Sequence, residues 1–104
     1  NPFYPFFYPH YIGMANMGMR RFDDAVAWYT RAAVRNPDAL WPHVYLAVCH
    51  GQLGNETEAS AEMNEVRRIN PDFSIELMRR LLPYKRSADI DLVIGGLGMA
   101  GLSV

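Results

Sequence analysis

The chain has 104 residues, half of them apolar, and a formal charge of -1, enough for one compact domain with a modest core. That balance leaves no basic field to hold a nucleic-acid backbone. A single cysteine, Cys49, excludes an internal disulfide framework and fits a reducing, cytoplasmic compartment.

The first nineteen residues carry no Asp, Glu, Lys or Arg, a pattern that invites a membrane reading. Pro2, Pro5 and Pro9, with Asn1, Asn16 and Gly13, argue against it, because a spanning helix needs about 20 mainly apolar residues. A basic start and a small-residue cleavage site are both missing, so neither membrane insertion nor export is expected. The sequence opens on Asn1 without Met and reads as a piece of something longer.

Periodicity and punctuation predict helices near 6–18, 22–35, 40–53, 56–69, 73–82 and 88–100. The second starts with Asp23 and Asp24, favourable to the helix dipole. Pro37 and Pro71 end helices, since proline cannot continue the hydrogen-bond ladder. Asn55 followed by Glu58 has capping-box spacing. Asn55-Glu56-Thr57 is also a glycosylation sequon, and the capping role is preferred in a cytosolic chain. In the fourth helix Ala59, Met63 and Val66 form an apolar stripe, while Glu58, Glu62, Glu65 and Arg68 are expected to face water as a solvated face. Pro83 stops the fifth. Ser87 is an expected N-cap for the sixth, with Asp89 and Asp91 in its first turn, the stripe Ile90, Val93, Ile94, Leu97, and Gly101 as a helix-ending glycine.

An internal repeat organises these helices. Asn36-Pro37-Asp38 recurs as Asn70-Pro71-Asp72, and Ala25 as Ala59, both at a shift of 34 residues. Gly13 becomes Ala47, Ile12 becomes Leu46 and Tyr29 becomes Met63 at the same shift. One copy runs Pro9, Ile12, Gly13, Asn16, Ala25, Tyr29, Ala32, Pro37; the other runs His43, Leu46, Ala47, His50, Ala59, Met63, Val66, Pro71. This pattern resembles the tetratricopeptide repeat, whose period is about 34 residues. It departs from the family at the opening Trp and at the Tyr of both first helices.

The resemblance implies an all-α fold of antiparallel helix hairpins stacked as an α-solenoid. Repeat 1 would cover about 6–37 and repeat 2 about 40–71, with 73–104 an incomplete third hairpin and capping helix. Small Gly13/Ala47 and Ala25/Ala59 would let paired helices approach, while Tyr29/Met63 and Ala32/Val66 fill the space toward the next hairpin. One hairpin cannot bury its apolar face alone, so stacking is expected. Asn1-Pro2 resembles the closing Asn-Pro pair, which suggests a further repeat upstream. Loss of that repeat would expose the run Phe3, Tyr4, Phe6, Phe7, Tyr8 as an interface, and self-association through such apolar ends is expected.

The tail, Pro83-Tyr84-Lys85, Ala88-Asp89, Gly96-Leu97 and Ala100-Gly101-Leu102, resembles the end of tetratricopeptide regions in bacterial class III adenylate/guanylate cyclases. The resemblance is to the helical appendage, so no catalytic residue is carried over. Similar appendages occur on transcription regulators, which leaves that parent open as an alternative.

Three constellations suggest chemistry. Gly96-Leu97-Gly98-Met99-Ala100-Gly101 spells G-x-G-x-x-G, but a dinucleotide fingerprint needs that loop to open a helix, with an acidic residue about 20 positions on. The family's helical ending accounts for it better; each glycine costs a helix up to about 1 kcal/mol against Ala, so fraying is expected. His10, His43, His50 and Cys49 are the soft ligands; His43 and His50 lie two turns apart, roughly on one face, but a zinc site needs about four close ligands, and His50 is expected in the core. Ser60, Ser74, Ser87 and Ser103 lack a surrounding catalytic motif. No cofactor, metal or enzymatic activity is expected of this chain. The expected surface is the repeat's concave groove, lined by Phe7, His10, Met14, Met17, Trp41, Val44, Val48 and Gln52, with Ile75 and Met78 beyond. If open, it would take a protein or peptide as a helix or extended segment; if closed, these residues are core between repeats. Lys and Asn, which hold acidic chaperone tails in other members, are missing there.

Overall fold

The computed structural model of the chain describes residues 8–74, 76, 80, 93 and 95–99, with side chains from Ile12 onward. Four helices follow one another: α1 (Tyr8–Gly18), α2 (Phe22–Arg35), α3 (Leu40–Leu53) and α4 (Glu56–Ile69). Residues 95–99 are helical as well, and no strand occurs among the described residues. α1 packs on α2, α2 on α3 and α3 on α4, and connections this short turn neighbouring helices antiparallel.

The predicted bounds of α2, α3 and α4 agree with these. Phe73 and Ser74, expected to open a fifth helix, are not helical. Phe73 instead donates its backbone N–H to Asn70 at 3.1 Å and is buried. The rest of the 73–82 and 88–100 expectations, with Ser87 and Gly101, lies mostly outside the described residues.

Sequence explains each helix. In α2 the residues Ala25, Tyr29 and Ala32 are buried, and in α4 Ala59, Met63 and Val66, so each shows a single inward stripe at helical spacing. Asp23 and Asp24 open α2 and Glu56 and Glu58 open α4, with arginines in both last turns; each such charge contributes roughly 0.3–1 kcal/mol through the helix dipole. Helix α3 is different: Pro42 to Cys49 are all buried, as befits a helix covered on all sides. Pro42 stands in its first turn, where no intrahelical donor is lost.

The 34-residue shift is visible in backbone geometry. Arg21 N–H bonds to Asn16 O at 2.9 Å and Asn55 N–H to His50 O at 2.9 Å. Ala39 N–H bonds to Asn36 O, and Phe73 N–H to Asn70 O, both at 3.1 Å. The left-handed residue after α3 is Gly54, with φ 78°, and its counterpart after α1 is Arg20, with φ 62°.

Asn55 occupies the N-cap position of α4 but makes no side-chain cap bond, which corrects the capping-box expectation. Its φ of -86° and ψ of 77° depart from the extended conformation that aims a cap side chain at the first turn. The amide instead turns back, with Nδ2 3.2 Å from His50 Nδ1.

Beyond α4, Val93 and Leu97 join the same core as Tyr29, Val44, Val48 and Met63. Burying a side chain such as Leu97 contributes about 2 kcal/mol. Gly95, Gly96 and Gly98 offset it, together lowering helix propensity by roughly 3 kcal/mol relative to alanine.

Candidate functional site

The expected groove residues divide along α3 and its neighbours. Val44 and Val48 are 0% exposed and Met17 is 8% exposed, so they are core in this structure. Met14 and Trp41 are partly buried and pack against that core, and Gln52 is also half-buried. His10 belongs to α1, with its side chain outside the described residues, where Phe7, Ile75 and Met78 also lie. Of the expected groove residues whose side chains are described, Met14, Trp41 and Gln52 are the ones that keep some exposure.

Trp41 is held in place by Tyr45, one turn on, with ring centroids 6.0 Å apart. Tyr45 in turn stacks on Tyr29 of α2 at 5.5 Å. This aromatic file continues into α1, because a Cβ added at Gly13 would stand 3.0 Å from the Tyr29 ring. The second tryptophan, Trp28, carries Arg31 over its ring at 4.4 Å, a cation–π contact on α2.

The other end of the α3 face is covered by the chain itself. A Cβ on Gly96 would meet Val48 O at 2.7 Å and Val48 Cα at 2.9 Å, and one on Gly51 would meet Gly96 O at 2.3 Å. A Cβ on Gly95 would reach Gln52 Nε2 at 3.7 Å. Only residues without side chains allow two helices to cross this closely. Gly96 thus lies inside a helix pressed on α3, whereas a dinucleotide-binding glycine belongs to a loop that opens one. Sequence reasoning set the fingerprint aside in favour of a helix at Gly96, but it passed over Gly51, whose only signal was a glycine placed mid-pattern in an apolar helix.

A polar clamp lies on the α4 side. His43, 6% exposed, places Nε2 2.8 Å from Pro37 O and Nδ1 2.6 Å from Glu62 Oε2. A carbonyl only accepts, so Nε2–H donates to it. At the other nitrogen a proton bridges ring and carboxyl, carried by one or the other. Arg68 reinforces the clamp at the surface, its guanidinium 3.1 Å from Asp38 and 2.8 Å from Glu65. Glu62 is therefore not simply part of a solvated face. Of the two histidines whose side chains are described, His43 is the buried one, while His50, expected in the core, is half-buried: its bond to Asn55 keeps the ring at the helix end.

Burial raises the Cys49 thiol to about 12, so it is held protonated and unreactive. Among the described residues no three His, Cys, Asp or Glu side chains gather, and no helix is long and apolar enough to cross a membrane. Neither family models, nor curated proteins, nor solved structures match this chain.

Proposed function

We propose that this chain is a protein-interaction module of the tetratricopeptide type, acting through the α1–α3 face at Met14 and Trp41. The observation that carries the reading is the repetition of α2, its flanking turns and its buried positions in α4 at one constant shift. Such helix pairs present extended surfaces rather than catalytic pockets. An apolar, methionine- and tryptophan-bearing surface suits an amphipathic helix or a second copy of the chain. In this reading, which rests on the resemblance of the tail, the module ends a larger bacterial nucleotidyl cyclase, with the cyclising activity in another part of that protein.

The test combines light scattering on the purified chain with anisotropy titration of a labelled, leucine-rich amphipathic peptide. Met14→Asp and Trp41→Asp should weaken peptide binding or self-association at least tenfold while helicity is retained. Unchanged behaviour in both variants rules the surface out. Incubated with ATP and a divalent metal, the chain should yield no cyclic nucleotide; product formation contradicts the reading.

A further inference from the structure

The covered end of the α3 face has an occupant whose chemistry is visible. Val93 and Leu97 are buried, while Gly98 and Met99 are exposed, so the described residues 93 and 95–99 lie on the core as an amphipathic ligand would, with Gly96 against α3. Its fit depends on one backbone-to-backbone crossing, Gly96 over Val48 and Gly51. Around that crossing the seal is incomplete: a cavity of about 260 Å³ is lined by Gly51, Gly54, Glu56 and Met99. Gly95, Gly96 and Gly98 weaken the helix that makes this contact, each by up to about 1 kcal/mol against alanine.

We propose that residues 93–99 are a resident, displaceable ligand of the α3 face, which admits only helices carrying glycine at the crossing point. The inference rests on reading that face as a protein-binding surface. It makes the chain closed at Val48 and Gln52 until its own segment leaves. A competing helix would need a glycine followed by a large apolar residue, as in Gly96-Leu97, to reach Val48 and fill the Leu97 site.

The experiment uses the full chain and a labelled peptide reproducing residues 91–101. Gly96→Leu should expel the segment, because two of the three obstructing atoms of Val48, O at 2.7 Å and Cα at 2.9 Å, are backbone and cannot yield as the Cγ1 methyl at 2.8 Å can by rotation. Gly98→Leu should not, since nothing lies within 4 Å of a Cβ at Gly98. Expected are faster amide exchange at 93–99 and at least tenfold tighter peptide binding in Gly96→Leu than in wild type or Gly98→Leu. A peptide carrying the same Gly96→Leu change should not bind. Leu97→Ser, which removes the anchor without touching α3, should open the segment in the same way and serves if Gly96→Leu fails to fold. Equal binding to every chain, or unchanged exchange in a folded Gly96→Leu or Leu97→Ser chain, overturns the proposal. If the opened chain captures this peptide but not the leucine-rich one, the self-contact stands and the wider protein-binding reading falls.

Discussion

Three carbons of the Tyr29 ring, Cδ1, Cε1 and Cζ, lie 3.0 Å from where a Cβ on Gly13 would stand. Tyr29 is 0% exposed and stacked on Tyr45, so it has little room to yield. Gly13→Ala should therefore destabilise the chain by about 1 kcal/mol, the overlap outweighing the gain in helix propensity. The second copy holds Ala47 with Met63, a longer, more pliable side chain. In a Tyr29→Met background Gly13→Ala should become neutral or stabilising, giving a coupling of roughly 1 kcal/mol or more in a urea-melt double-mutant cycle. Additive effects would show that the ring and the glycine are not in register.

Arg20, at φ 62°, occupies the left-handed position that Gly54 fills in the other copy. The strain of a side chain there costs roughly 1 kcal/mol, partly offset when a glycine adds freedom to the unfolded chain. Arg20→Gly should raise thermal stability slightly, by about 0.5 kcal/mol, and Gly54→Ala should lower it by about 1 kcal/mol. Calorimetry of both variants checks the pair, and a stabilising Gly54→Ala would refute the equivalence of the two turns.

Alkaline pH should loosen the fold. Burial raises Cys49 to about 12 and also raises Tyr29 and Tyr45 above the usual phenol range. In the unfolded chain a thiol ionises near 8.5 and a phenol near 10. Below about pH 8 both states keep these protons and the stability is complete. As pH rises further the unfolded chain releases them first, and stability falls until the folded groups also ionise. Cys49 alone should remove about 2 kcal/mol by pH 10. Urea midpoints between pH 7 and 11 should decline, less steeply in Cys49→Ala; a flat profile contradicts the buried thiol.

What could be read from residues alone was local and repeated. The bounds of α2 and α4 follow from Asn-Pro-Asp turns and from stripes such as Ala59, Met63, Val66, because helix ends and inward faces are written in nearby chemistry. Helix α3 is apolar nearly all round, so its period could not say which of Trp41, Val44 and Val48 stay accessible. At Val48 that depended on Gly96 arriving from far along the chain. The same distance hid His43: nothing within six residues of it names Glu62, nineteen positions away. Arg20 was unreadable for another reason, since arginine is no marker of left-handed backbone and its constraint comes from the turn being copied at Gly54.

The reach of His43 from Pro37 O to Glu62 has a mechanical meaning. It bolts the elbow between α2 and α3 to the far helix α4, across the line where one helix pair meets the other. Flexing at that elbow would have to break a bond to a buried ring. Helices α2, α3 and α4 should consequently swing as a single lever, and bending of the chain in response to a bound partner should spare the elbow at Pro37.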